Sequence, residues 1–255
     1  MNRTPPIEVR RQLRREVRFG CPVPACGNPY LQWHHFDPPW HVKQHHNPER
    51  MIALCSRHHP QADANAFTAE QLRKFKVDAV GLPGVVGERF QWLRNRLLAV
   101  VGGNYYLETY MICRFRGHPI IWLSRDEENQ IMLNLHPLTT TPEPRLIMEE
   151  NFWLVHGYQE DLDCPPSGRL VHAKYPNGDE IRIEFVECAN AQSLRDRYPD
   201  ATPQVYEIQT PITAVEVMYR LANTSIDFGP RHTRLGGVHI WGSFAENCVG
   251  VFDIG

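Results

Sequence analysis

The sequence predicts an α+β protein in two parts, a small helix-and-strand module over residues 1–80 and a mainly antiparallel β domain, sandwich- or barrel-like, over 88–255. Three observations predict it. Long helical periodicity is confined to two stretches, 5–18 and 67–80, whereas the chain beyond residue 88 breaks into short runs of β-formers between turn signals. Seven of the 13 histidines, and three cysteines at short spacings, fall in the first 80 residues. The charge divides too: residues 1–80 carry 12 Lys+Arg against 7 Asp+Glu, and the rest 15 against 22, so +5 faces −7.

In chain order, PPIEVRRQLRREVR (5–18) opens with prolines suited to a first helical turn. Val9, Leu13 and Val17 form an apolar stripe at i, i+4 and i+8, and Arg10, Arg14 and Arg18 form a second, flanked by Arg11 and Arg15. The arginines suit either phosphate contact or a solvated face. Gly20 stops the helix. Cys21 and Cys26 then bracket a Pro-rich turn at a spacing that lets two thiolates grip one zinc, and Cys55 and His58 form a C-x-x-H pair further on. Together they make a Cys₃His tetrahedral site. YLQWHH (30–35) and RMIAL (50–54) are short strands, and SRHHPQADANAF begins a helix that sets His59 and Asp63 one turn apart on one face. His34 and His35 end the first strand, where alternation points them apart unless the strand stops there. A side chain from that strand end and one from the helix that carries His59 and Asp63 can share a divalent ion, so that one histidine of the pair binds metal while the other activates water. His45 and His46, before the turn-forming Asn47-Pro48, are the competing pair for the catalytic role.

FTAEQLRKFKVDAV (67–80) is a closing helix with Leu72, Phe75 and Ala79 inward, and GLPGVVG (81–87) a linker. FQWLRNRLLAVV, YYLETYMICRF, PIIWLS, QIMLNL and RLIMEENFWLV follow as strand runs. LVHAKYPNGDEIRIEFVE is the clearest hairpin, turning at Pro176-Asn177-Gly178-Asp179. AQSLRDRYP is a short helix, and GGVHIWGSFAENCVGVFDIG two more strands. Cys113, Cys164, Cys188 and Cys248 lack ligand spacing and are expected as interior thiols, and the histidines after residue 80 are scattered.

Composition narrows the classes. With 255 residues, 42% hydrophobic and 22% charged, the chain can bury a substantial core. No apolar run approaches the roughly 18 residues of a membrane helix, and MNRTPPIEVRRQLRREVRFG lacks a signal-peptide core, so a cytoplasmic protein without membrane association is expected. Seven cysteines, an odd number, argue against a disulfide framework and leave metal binding open.

The segment CPVPACGNPYLQWHHFDPP…HNPERMIALCSRHHPQAD resembles the HNH endonucleases of the zinc-knuckle type, over about residues 10–80. The resemblance implies a ββα-metal fold. It assigns the knuckle zinc to Cys21, Cys26, Cys55 and His58, the general base to His35, and the catalytic ion to His34 and His59, with Asp63 completing its shell. It departs at Arg50, which stands where the family motif has Asn; Asn47 is three residues displaced. The expected reaction is hydrolysis of a DNA phosphodiester with one Mg²⁺ or Mn²⁺, leaving 5′-phosphate and 3′-hydroxyl ends, with Arg50 or Arg57 offsetting phosphate charge. The implied partner is nucleic acid, double-stranded DNA first, in a setting that includes defence against phage. The acidic β domain is expected to regulate, oligomerise or bind a protein partner. The other reading is a zinc-stabilised nucleic-acid-binding module with weak or no cleavage, and Arg50 is its main support.

Overall fold

The computed structural model describes residues 2–79 and 85–254, and is a mixed α+β molecule dominated by antiparallel sheet. Helix α1 (Ile7–Glu16) turns Leu13 and Val17 into a core of its own with Val9 packed beside them, as the apolar stripe requires. It ends at Glu16, ahead of the expected Gly20, because Arg18 and Phe19 take left-handed backbone at φ 54° and 63°. Gly20 is needed for proximity: a Cβ there would lie 2.7 Å from the Gly27 carbonyl oxygen. That approach closes residues 21–28 into a loop, with Cys21 N–H donating to Asn28 O and Gly27 N–H to Cys21 O.

Strands β1 (Leu31–His35) and β2 (Met51–Cys55) pair antiparallel, from Leu31 opposite Cys55 to His35 opposite Met51. Helices α2 (His58–Asp63) and α3 (Ala69–Asp78) follow. Every residue of β2 is buried, since α1 and α3 both pack on it. Thr68 and Gln71 form a reciprocal capping box that starts α3, from which Leu72 and Phe75 enter the core with Leu13 and Met51.

The β domain holds strands β3 (Val86–Arg89), β4 (Leu97–Val101), β5 (Asn104–Leu107), β6 (Met111–Phe115), β7 (His118–Arg125), β8 (Ile131–Leu135), β9 (Ile147–Glu149), β10 (Phe152–Val155), β11 (Asp161–Asp163), β12 (Leu170–Lys174), β13 (Glu180–Cys188), β14 (Ile212–Arg220), β15 (Ile226–Phe228), β16 (Thr233–Leu235), β17 (Val238–Ile240), β18 (Phe244–Glu246) and β19 (Phe252–Ile254). One sheet runs β19-β6-β7-β8-β9-β10-β3 and the other β11-β12-β13-β14-β15-β16-β17, with β4, β5 and β18 branching from β14. A shared core holds Leu133, Met148 and Trp153 of the first sheet against Ile183, Phe185 and Val215 of the second, which is the sandwich expectation. Helices α4 (Ala191–Arg197) and α5 (Pro203–Tyr206) cover the outer face beside β4. This explains the unbroken LLAVV run: Leu97, Ala99 and Val101 enter the sandwich core while Leu98 and Val100 pack under the helices.

Several expectations are corrected. The 81–87 linker lies partly outside the described residues, and its last two residues belong to β3, paired with β10. FQWLRN, 90–95, is irregular, so the strand starts at Leu97. The final segment forms three strands, and three pairings are parallel: β14 with β4, β18 with β5, and β19 with β6. Cys248 is partly exposed, while the other three late cysteines are buried.

Three arginines of α1 meet acidic groups of β11 and its flank, although only Arg14 is buried and Arg15 stays exposed. Arg14, only 2% exposed, donates from Nε and Nη2 to the two oxygens of Asp161 at 2.8 and 2.6 Å and from Nη1 to Asp163 at 3.2 Å. Arg11 reaches Asp161 at 3.4 Å, and Arg15 Nε donates to the Glu160 carbonyl at 2.8 Å. Phe19 inserts into the sandwich core and Tyr30 meets Trp153 edge-on. The basic helix is thereby docked on acidic β11.

Candidate metal centres

The loop after α1 supplies Cys21 and Cys26, the end of β2 supplies Cys55, and the first residue of α2 supplies His58; their ligand atoms all lie within 4.8 Å of one another. Cys26 Sγ is 3.7 Å from Cys55 Sγ, and His58 Nδ1 is 3.4 Å from Cys21 Sγ and 3.3 Å from Cys55 Sγ. Zinc–sulfur and zinc–nitrogen bonds of about 2.3 and 2.0 Å give tetrahedral edges of roughly 3.5–3.8 Å, so the cluster can hold a zinc ion. Burial pushes the Cys21 and Cys26 thiols up. Four protein ligands leave no position for substrate.

His34, His59 and Asp63 form a second cluster within the same 4.8 Å limit. Asp63 bridges the pair, with His34 Nδ1 at 3.1 Å from one carboxylate oxygen and His59 Nδ1 at 3.3 Å from the other. Octahedral edges at bond lengths of about 2.1 Å are roughly 3.0 Å, so these donors fit around one ion with positions left open. The tautomer of His59 also fits. Its Nε2 sits 3.3 Å from the Trp33 carbonyl, which can only accept, so Nε2 carries the proton and Nδ1 presents its lone pair to the cluster. Burial, opposed by Asp63, pushes the His34 pKa down. Two imidazoles and one carboxylate suit Mn²⁺ or another imidazole-tolerant ion better than Mg²⁺, which prefers oxygen.

His34 and His35 both line a cleft of about 590 Å³, together with Trp40, His41 and Asp63. The strand ends at His35, so alternation does not separate them. His35 is 3% exposed, and neither ring nitrogen makes a well-formed hydrogen bond, the nearest backbone influence being that of His45. Burial first, then the neighbouring His45, His46 and Arg3, push its pKa down to about 4, so the ring is neutral at physiological pH.

The second histidine pair packs on the first instead of forming a separate site. The His45 and His46 rings lie 5.2 and 5.9 Å from the His35 ring, and Trp40 stacks on His46. His45 is committed on both nitrogens, Nε2 donating to Pro38 O and Nδ1 accepting from Asn47 N–H; His46 Nε2 donates to Asn2 O.

The arginine expectations change. Arg50 is exposed at the end of a 3₁₀ turn, where its backbone carbonyl accepts from Phe36 N–H. Among the described residues neither Arg50 nor Arg57 lines the cleft. Its arginine is Arg3, which carried no motif signal in the sequence. No family model matches the chain, and no curated protein or solved structure matches it.

Proposed function

We propose that the protein is a metal-dependent endonuclease that hydrolyses DNA phosphodiester bonds, with residues 1–80 as the nuclease module and 88–255 as a domain that docks on it. The observation carrying this reading is the open His34, His59 and Asp63 cluster, set in one cleft with a neutral His35 whose ring nitrogens make no well-formed hydrogen bond. A divalent ion held there would supply charge neutralisation at the phosphate and its leaving oxygen. His35 accepts a proton from the attacking water at a ring nitrogen. Asp63 holds the two metal-binding imidazoles in register through its two oxygens. Arg3, bearing its charge at the cleft wall, attracts the phosphate backbone. Cys21, Cys26, Cys55 and His58 hold a structural zinc beneath α2, and chemistry is confined to the other cluster.

One observation favours a second reading, a zinc-stabilised binding module without cleavage. The residue in the Asn position of the motif, Arg50, is exposed and is not among the residues lining the cleft. Plasmid nicking decides between the two. Supercoiled DNA should be nicked with Mn²⁺, less well with Mg²⁺, and not with EDTA. His35→Ala should lose about 10²–10⁴ in rate while still binding DNA and Mn²⁺. DNA retention without nicking under any ion supports the binding module instead.

A further inference from the structure

The ladder between β1 and β2 fixes which atoms of β1 face outward. Phe36 N–H donates to Arg50 O, so the directly opposed pair 36/50 is a hydrogen-bonded pair. Alternation then makes 34/52 and 32/54 bonded pairs as well, and leaves 33/53 and 31/55 with backbone groups pointing away from β2. The Leu31 N–H and the Trp33 carbonyl therefore both lie on the free edge of β1. Each is used. Leu31 N–H donates to the Cys164 carbonyl, just past β11, at 3.3 Å. Trp33 O receives His59 Nε2. The Trp33 ring also carries the Arg14 guanidinium, 5.9 Å from its centroid, and Arg14 is the residue that Asp161 and Asp163 clamp.

From this we infer that Asp161 of the β domain is a positioning residue for the ion cluster. It acts through Arg14 and the edge of β1 to hold the carbonyl that orients His59. The path is short and each contact has a defined geometry. The Asp161 carboxylate accepts with both oxygens from the Nε–Nη2 edge of a fully buried guanidinium. The guanidinium seats the Trp33 indole, and the Cys164 carbonyl pins the same strand two residues away. The Trp33 carbonyl in turn sets the His59 tautomer and ring plane, the kind of outer contact whose loss typically lowers metal affinity about 10–100-fold. The β domain would then complete the ion site without contributing a ligand. This inference rests on the proposed ion site, and its test separates the two.

The test compares the full-length wild type with Asp161→Asn and Asp163→Asn, using Mn²⁺ alone as probe by isothermal titration with a paramagnetic-resonance cross-check. Zinc content is measured in the same samples. Asp161→Asn keeps the side-chain volume but removes the charge that pairs with buried Arg14, and should weaken Mn²⁺ binding about tenfold with zinc held at one per chain. Asp163→Asn, at a more exposed carboxylate, should change Mn²⁺ affinity by less than about threefold, and Asp161→Glu should recover part of the loss. Should wild type bind no Mn²⁺, the ion site itself is refuted. Wild-type Mn²⁺ affinity in Asp161→Asn overturns the positioning role alone. A loss of zinc together with Mn²⁺ would also overturn it, because Asp161 would then be supporting the fold of the whole module.

Discussion

At the scale of single residues, hydrogen bonding separates histidines that sequence spacing could only pair. Two adjacent His-His pairs were legible in residues 31–46, and either could have held a base. The partners favour the first pair: both nitrogens of His45 are engaged and His46 is tied to Asn2, whereas neither nitrogen of His35 makes a well-formed hydrogen bond. His45→Ala and His46→Ala should therefore keep nicking activity within about tenfold of wild type, against the much larger loss for His35→Ala. A dead His45→Ala with an active His35→Ala would transfer the base to the second pair. Arg3 shows the opposite limit, since a lone cation near the amino terminus has no spacing to be read. A pH effect belongs to this scale too. Glu180 accepts from His172 at 2.6 Å, and that bond, with help from Lys174, holds its carboxyl down to about 2. A depressed carboxyl contributes stability above its unfolded value of about 4.5 and loses it as the pH falls toward 2. Glu180→Gln should flatten the acid limb of stability over that window, as read from urea midpoints at stepped pH.

At the scale of elements, the candidate zinc site ties a loop and a short helix to the end of the buried strand β2. A loop, a strand end and a six-residue helix supply its ligands. A helix that short is not stable alone. Cys55→Ala, or removal of zinc by a strong chelator, should therefore unfold residues 2–79 beyond any loss of activity; circular dichroism and thermal melting with parallel zinc analysis would check it. These elements were readable because side-chain period and ligand spacing are local signals. The hairpin of β12 and β13 was equally legible, since its Asn177-Gly178 turn demands the positive φ of 92° that Gly178 adopts. Strands β11, β15 and β16 have three residues each, too few for any alternation to register. The nine residues of β14, ITAVEVMYR, carry a strand signal in their β-branched and aromatic content. Its parallel pairing with β4 was not available locally, because that register is set across more than a hundred residues.

At the scale of the whole molecule, part of the charge that divides the sequence pairs between the two parts of the chain. A basic first part and an acidic second part suggest a polyanionic partner, and some of that charge also meets across the two parts, Arg11, Arg14 and Arg15 facing Asp161, Asp163 and Glu160. Net charge cannot distinguish the two cases, because it has no information on which surfaces meet. The Arg14–Asp161 pair is buried, so its energetics follow the rule for buried pairs: breaking one side costs more than the pair contributes. Arg14→Ala would leave Asp161 charged and 6% exposed and should lose about 3–5 kcal/mol, seen as an earlier unfolding midpoint in urea. The double variant Arg14→Met/Asp161→Leu fills the same space without charge and should recover most of that loss. Its Mn²⁺ affinity should nonetheless stay low, since a methionine seats on Trp33 without the directed fork that fixes the strand edge. Stability and ion affinity should thus separate in one protein. If the double variant recovers both together, docking acts on the cluster only by keeping the module folded, and the charge of the Arg14–Asp161 pair has no positioning role.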